Sequence, residues 1–275
     1  MKELKAIFID IDGTLINDDK VVSDFTVNEI KRIDNEYKVR FFLVSSRMPK
    51  SISKVYSNLG ISGGIVAYNG AIINYNDQKF RHSEAISSLI DITLFEKYLF
   101  QLAKNEEVSV NLYKDDIWIS SNLNYWTQRE IKSNAINPDS VGINSELFSN
   151  FSNKLHKILI RAEANILLDV YSKLNQLSAH HHNVLMAKPT LVEITSKDIN
   201  KGVALKLIND SLNIKRSEVI AFGDGENDIE MISYAGIGIA VANCTPKLKL
   251  VADEFTNSNN EDGVGNSLRK YFPTR

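Results

Sequence analysis

The 275-residue chain is short of several things, and each shortage excludes something. It has a single cysteine, Cys244, so no internal disulfide can staple it, and a reducing cytoplasm is the expected compartment. Cys244 itself reads as a small buried hydrophobe near a strand end rather than a reactive thiol. No charge sign dominates: 32 Lys and Arg stand against 34 Asp and Glu, a net −2. There is thus no basic excess for nucleic acid and no polybasic run for an anionic membrane. Long apolar runs are missing too. AGIGIAVA (235–242) is far too short for a membrane span. The N-terminal apolar run meets Asp10 almost at once, so no signal peptide is expected. No low-complexity linker or internal repeat interrupts the chain.

What is present is an ordinary globular composition, 43% hydrophobic and 24% charged, in a chain too long for one typical core. The opening alternates strand and helix. LKAIFIDI (4–11) reads as a buried strand, and FTVNEIKRIDNEY (25–37) as a helix with Val27, Ile30, Ile33 and Tyr37 on one face, capped by Ser23 or Asp24. VRFFLVS (39–45) is a second buried strand, Pro49 opens a second helix, and IVAY-NG-AIIN (65–74) predicts a hairpin with a tight Asn-Gly turn. From about residue 84 the order becomes α+β: helices over 94–105, 124–135 and 166–177, and strands over 108–114, 116–121, 156–162, 183–188 and 191–195. The βα style then returns, with a helix over 199–212, a strand over 218–222, a helix over 224–234 and a strand over 236–242. The expectation is an α/β core with a Rossmann-like parallel sheet, made from residues 1–83 and 191–275, with an α+β domain inserted at 84–190.

The chemistry lies at strand ends, where open parallel sheets place their sites. IFIDIDGT puts Asp10 and Asp12 at the end of the first strand, where an i, i+2 pair in extended chain faces one side. Gly13 permits an immediate turn and Thr14 braces the loop. Two adjacent carboxylates are tolerable against a divalent cation or with a shared proton, and an all-oxygen ligand set favours Mg²⁺ over Zn²⁺. One carboxylate can act as nucleophile while the other handles protons. AFGDGENDIEM (221–231) repeats the pattern: Asp224 and Asp228 share a face if a helix starts at Asp224, Glu226 reads as a solvated acid, and Asn227 offers an amide to an anion. Such an acidic cage calls for an anionic substrate, and phosphate fits. Ser45, with the amides of Ser46 and Arg47, ends the second strand. Lys201 offers a cation to a transferring phosphoryl group. Taken singly, a strand-end serine or a first-turn lysine is more often solvated surface.

These blocks, in this order, resemble the haloacid dehalogenase superfamily of phosphohydrolases: Asp10-Ile11-Asp12-Gly13-Thr14, FLVSSR (42–47), NKG (200–202) and GDGENDIEM (223–231). Ser45 follows Asp10 by 35 residues, leaving no room for a cap between them, whereas Lys201 follows Ser45 by 156. The inserted domain therefore falls between the second and third motifs, as in the Cof-like, type IIB branch with a large α/β (C2B-type) cap. The resemblance implies that Asp10 attacks phosphorus and becomes an aspartyl phosphate while Asp12 acts as acid and then base. It implies Mg²⁺ held by the Asp10 carboxylate, the Asp12 carbonyl and Asp224, with Asp228 in support, and phosphate held by the Ile11 amide, Ser45, Ser46, Lys201 and Asn227. Gly13, Thr14 and Arg47 are supporting residues, and Asn69 and Gly70 lie where substrate contact is expected. The chain departs from the pattern at Ser46, where the family usually has glycine; if that position needs φ > 0, Ser46 is strained.

The expected function is Mg²⁺-dependent hydrolysis of small organic phosphate monoesters, sugar phosphates or similar. Transfer of the phosphoryl group to another hydroxyl, as in a phosphotransferase or phosphomutase, is the alternative, and a non-catalytic phosphate-ligand regulator a more distant one. The expected partner is a small phosphorylated metabolite, with no nucleic acid and no membrane, for a monomer or weak homo-oligomer. His180, His181 and His182 read as a polar loop rather than a zinc site, because neighbouring side chains point apart. Trp118 and Trp126 read as core. The tail RKYFPTR reads as a helix end before Pro273.

Overall fold

A computed structural model describes residues 4–77, 82–87, 89–144, 146–148, 155–178 and 181–274. The chain packs as two units. One comprises Met1–Ser46, Ile52–Ile86 and Asn200–Arg275; the other comprises Ser87–Ile199 with Arg47–Ser51.

The first unit opens with strands β1 (Ala6–Asp10), β2 (Arg40–Val44), β3 (Gly63–Ala67), β4 (Ile72–Asp77) and β5 (His82–Ser87). The second unit holds β6 (Ser109–Lys114), β7 (Ile117–Ser120), β8 (Ser140–Val141), β9 (Lys157–Arg161), β10 (His182–Lys188) and β11 (Leu191–Ser196). The chain then returns to the first unit with β12 (Val219–Gly223), β13 (Ile237–Val241) and β14 (Glu254–Thr256). The first sheet runs β14-β13-β12-β1-β2-β3-β4-β5. From β14 to β3 the pairings are parallel, and β4 turns back antiparallel to β3. Ala6, Ile7, Phe8 and Ile9 are all fully buried, as a strand covered on both faces requires. Phe8 stacks on Phe42, and both pack with Val219, Ala221, Leu205, Ile208, Met231 and Ile232 in one core. Helix Asp24–Tyr37 is capped by the Ser23 side chain, which accepts the Thr26 N–H, and helix Lys201–Leu212 by Asn200, which accepts the Val203 N–H.

The second unit is a six-stranded sheet, β10-β11-β9-β6-β7-β8, antiparallel except for the β7–β8 pair. Helices Glu96–Ala103 and Ala164–Ser178 bury Leu99, Leu102, Leu167, Val170 and Leu174 with Val110, Ile158, Ile160 and Ile194. Trp118 is fully buried and donates its indole N–H to Asn111 at 2.9 Å, and Trp126 is also buried, so both are core residues.

Four expectations change. The boundary expected at 190/191 moves, because β11 forms a hairpin with β10 around Pro189-Thr190 and pairs with β9, burying Val192 and Ile194 in the second core. The two-residue Asn-Gly turn is instead a four-residue connection. Ala67 pairs with Ile72, and Tyr68, Asn69 and Gly70 all have positive φ. The helix expected over 224–234 is a 3-10 turn, Glu226–Asp228, followed by helix Ile229–Tyr234. Strands β5, β8 and β14 were not expected; the latter two span only two and three residues, too short to show a period.

Candidate active site

In the first sheet β1 lies between β12 and β2, with β3 beyond β2 and β13 beyond β12. The chain order therefore reverses beside β1, the switch point at which open α/β sheets leave a crevice. Asp10 pairs with Val44, so Ser45 follows at the same level, and Ile9 pairs with Phe222, which brings Gly223 and Asp224 alongside. Asp10 is 5% exposed, and its Oδ1 accepts from Lys201 Nζ at 2.5 Å. The same Nζ donates to Asp228 Oδ1 at 2.6 Å. A first-turn lysine is ordinarily solvated, but this side chain is fully buried between two carboxylates.

Asp228 does more than hold the lysine. Its Oδ2 accepts the backbone N–H of Asp224 at 3.0 Å and of Gly225 at 2.9 Å, which shapes the turn and explains why the helix starts only at Ile229. Asp224 Oδ1 accepts from Thr14 Oγ1 at 2.9 Å. Glu226 lies exposed and pairs with Lys247 at 2.9 Å, away from the cluster. The result is three carboxylates, Asp10, Asp224 and Asp228, each offering an oxygen within 4.8 Å of the others; among the described residues this is the group able to hold a metal ion.

The electrostatics suit a cation. Burial pushes the Asp10 carboxyl well above the usual carboxylate range; Lys201 opposes this, while Asp228 and Asp224 add to it. Burial raises Asp224 as well, with Asp228 adding to the shift and the Thr14 hydrogen bond and Lys201 opposing it. Burial disfavours the Lys201 ammonium, but Asp10 and Asp228 outweigh it and keep the lysine charged. Asp10 Oδ2 is buried with no hydrogen-bond partner. An orphaned carboxylate oxygen beside two further carboxylates, an oxygen-only donor set and surplus negative charge together suit a hard divalent cation.

Asp12 does not join the trio. Strand β1 ends at Asp10, so the alternation that would place both carboxyls on one side stops there. Asp12 sits in a turn, its side chain 42% exposed and 3.8 Å from Lys20 Nζ. Ile11 is buried, and its carbonyl accepts the N–H groups of Leu15 and Ile16, which closes the turn. Ser45 is buried, and its carbonyl accepts the Asn69 N–H at 2.9 Å. Asn69 Oδ1 accepts from Asn227 Nδ2 at 3.1 Å, so the segments of Ser45, Asn69-Gly70 and Asn227 are brought together. Ser46 is not among the positive-φ residues, so no strain accompanies the departure from glycine. Arg47 belongs to the second unit.

Sequence reasoning missed Asn243, Asn259 and Asn260, whose side chains bond the loop after Asp12. They follow β13 and β14, and the rule that sites lie beyond the carboxyl ends of parallel strands would have flagged them. His180 lies outside the described residues. His181 is exposed, while His182 starts β10 and meets Phe95 edge-on at 5.1 Å. Cys244 is buried. No described helix is long and apolar enough to cross a membrane.

The sequence profile of the haloacid dehalogenase-like hydrolases matches residues 7–268. A Bacillus subtilis (strain 168) protein named 5-amino-6-(5-phospho-D-ribitylamino)uracil phosphatase YitU is 29% identical over 276 residues, covering 97% of each chain. A second from the same organism, 5-amino-6-(5-phospho-D-ribitylamino)uracil phosphatase YcsE, is 27% identical over 98% of this chain and 96% of its own. The crystal structure of a haloacid dehalogenase-like hydrolase from Bacteroides thetaiotaomicron superposes with a TM-score of 0.86 at 28% identity, covering 98% of this chain and all of its own.

Proposed function

The chain belongs to the haloacid dehalogenase-like hydrolases, in their Cof-like branch, and is a phosphatase; on that premise we propose that it hydrolyses small organic phosphate monoesters, with Mg²⁺, through an aspartyl phosphate on Asp10. The observation that carries the reading is the environment of Asp10. Lys201 pins one of its oxygens, the other is buried and unpartnered, and Asp224 and Asp228 stand beside it at the end of a central strand.

In the first step an Asp10 carboxylate oxygen bonds phosphorus and the ester P–O bond breaks. The electron pair leaves on the ester oxygen, which takes a proton from Asp12. In the second step water bonds the same phosphorus and gives its proton to the Asp12 carboxylate. The bond between phosphorus and Asp10 breaks, and orthophosphate leaves. Ile11 through its amide, Ser45, Ser46, Lys201 and Asn227 hold the phosphate oxygens. The Asp10 carboxylate, the Asp12 carbonyl and Asp224 would hold Mg²⁺, and Asp228 fixes both Lys201 and the Asp224 turn. Bound Mg²⁺ would supply charge neutralisation among the carboxylates and on the transferring phosphoryl group. Gly13, Thr14 and Arg47 support the loops, and Asn69-Gly70 borders the substrate. The inserted unit is the α+β cap.

Two relatives carry names that specify a phosphoribityl compound, which directs the substrate search toward phosphorylated polyols and sugars. The test is phosphate release from a panel of pentitol and sugar phosphates, that ribitylaminouracil phosphate, pyridoxal phosphate, nucleotides and an aryl phosphate. Each is run with Mg²⁺, with chelator and with Asp10→Asn, and with an added alcohol to reveal transfer. Turnover lost in both controls is expected. No turnover from folded, Mg²⁺-supplied protein on any member would remove the phosphomonoesterase assignment.

A further inference from the structure

The segment that follows Asp12 has little regular structure of its own, yet it must hold the proton-transferring carboxyl against the site. Leu15 and Ile16 donate to the Ile11 carbonyl at 3.1 and 3.0 Å, and Asn17 and Val21 exchange bonds further on. Those contacts shape the segment, and Thr14 Oγ1, donating to Asp224 Oδ1 at 2.9 Å, ties its start to the carboxylate cluster, but residues 15–18 need further attachment. Leu15 and Ile16 are buried, but packing along the segment is incomplete: a hollow of about 100 Å³ lies beside it, lined by Thr14, Leu15, Asn17, Asn259, Asn260 and Asp262 among others.

Three asparagines bridge the gap. Asn243 Nδ2 donates to the Gly13 carbonyl at 2.8 Å. Asn259 Nδ2 donates to the Ile16 carbonyl at 3.0 Å, and its backbone N–H donates to Asn243 Oδ1 at 3.0 Å, tying the two together. Asn260 takes Asp18 at both ends, Oδ1 accepting the Asp18 N–H and Nδ2 donating to Asp18 Oδ2, each at 3.0 Å. Their bases are firm. Asn243 follows β13, and Asn259 and Asn260 lie in a 3-10 turn in which Ser258 and Glu261 bond each other, directly before helix Gly263–Tyr271. An asparagine amide suits this task, since it can accept from one backbone and donate to another at once.

We propose that Asn243, Asn259 and Asn260 are positioning residues that clamp the 13–18 segment and thereby hold Asp12 where it can pass its proton to the departing oxygen. The inference rests on the phosphatase reading above. Its signature is dependence on the leaving group. When the P–O bond breaks, a poor leaving group such as an alkoxide needs the Asp12 proton, whereas an aryl oxide departs with little help. A misplaced Asp12 therefore lowers kcat/KM, which reports the bond-breaking step, selectively for alkyl phosphates. The second step, in which Asp12 takes the proton of water, is common to both esters and shows only in kcat. A general loss of structure or of metal would slow both alike.

The test compares wild type, Asn243→Ala and Asn243→Gln, with Asp12→Asn as reference, on an alkyl and an aryl phosphate in Mg²⁺. Backbone hydrogen exchange of the same proteins is followed without substrate. For Asn243→Ala, kcat/KM on the alkyl phosphate is expected to fall roughly 10- to 100-fold and on the aryl phosphate about 3-fold, with the glutamine variant partly restored. Amides of residues 13–18 should exchange about tenfold faster while those of β1 stay protected. If Asn243→Ala does not fold, Asn260→Ala, at an exposed position, carries the same comparison. Equal losses of kcat/KM on both substrates, or unchanged exchange at 13–18, overturns the clamp. If wild type turns over neither ester, the phosphatase reading falls, and the exchange result alone decides whether the clamp exists.

Discussion

Gly13 has φ +86°, a conformation that side chains resist, and a Cβ there would lie 2.5 Å from Asp224 Oδ2. Both facts tell against any larger residue. Gly13→Ala is expected to cost about 1–3 kcal/mol in backbone strain and to push Asp224 out of line with Asp10. Urea melts should report the first effect and Mg²⁺ titration calorimetry the second, with affinity down about tenfold or more; unchanged Mg²⁺ affinity would mean that Asp224 is not held at this spot. At this scale the sequence was informative wherever a residue was out of place. Acids at the ends of all-apolar strands, Asp10 and Asp224, stand out for that reason. Lys201 was legible only through its motif, because nothing in a lone lysine announces full burial. The asparagine clamp was not legible at all: Asn243 meets Gly13 across 230 residues of chain, and asparagine is common in loops for unrelated reasons.

Between elements, helix Asp24–Tyr37 and helix Gly263–Tyr271 are joined by Glu29, a buried carboxylate. Its oxygens accept from Arg32 at 2.8 Å and from Arg269 at 2.7 Å, and Arg269 also lies over the Phe25 ring at 4.4 Å. Burial alone would raise the Glu29 carboxyl, but the bonds from Arg269 and Arg32 outweigh it and hold it below the ordinary 4.5. A carboxyl depressed in the folded state contributes stability that is fully present above its unfolded value and is lost as pH falls through the lower folded value. Glu29→Gln is thus expected to cost about 1–3 kcal/mol at pH 7, with the half-exposed Arg269 giving the smaller share. The difference from wild type should shrink as pH falls through that depressed value; urea melts of both proteins from neutral into acid pH check it, and a pH-independent difference would point to packing instead. Most elements were legible because their periods are strong: LKAIFIDI and VRFFLVS have no reading but buried strand. The failures are physical. The turn at 226–228 forms because the Asp228 carboxylate captures two N–H groups, and the loop at 68–71 because Tyr68 joins the turn. Strand β11 was placed with the wrong unit because its apolar pattern suits either sheet, and only pairing with β9 and β10 decides.

Over the whole molecule, the site is assembled from the two ends of the chain. β1 pairs with β12, and Lys201 reaches Asp10 across 191 residues. None of the trio is complete until the segment after Asn200 has joined the first forty-six residues, whereas the intervening unit closes its own sheet and core from a continuous stretch. The binding energy of a metal held by the trio would therefore appear in one unit. Three carboxylates share one ammonium within the cluster, so without a cation they repel, and a divalent ion that binds only the folded site stabilises it by about 2.7 kcal/mol at a hundredfold excess over Kd. Adding Mg²⁺ to chelated protein is expected to raise hydrogen-exchange protection in β1, β12 and helix Lys201–Leu212, and to raise the calorimetric transition that contains them. The six-stranded sheet should gain protection only if the two units unfold as one. Asp224→Asn should abolish the gain while leaving β6, β9 and β11 as protected as before. Mg²⁺ protection of equal size in that variant would take the metal away from the trio, and with it the account of why a buried strand ends in carboxylates.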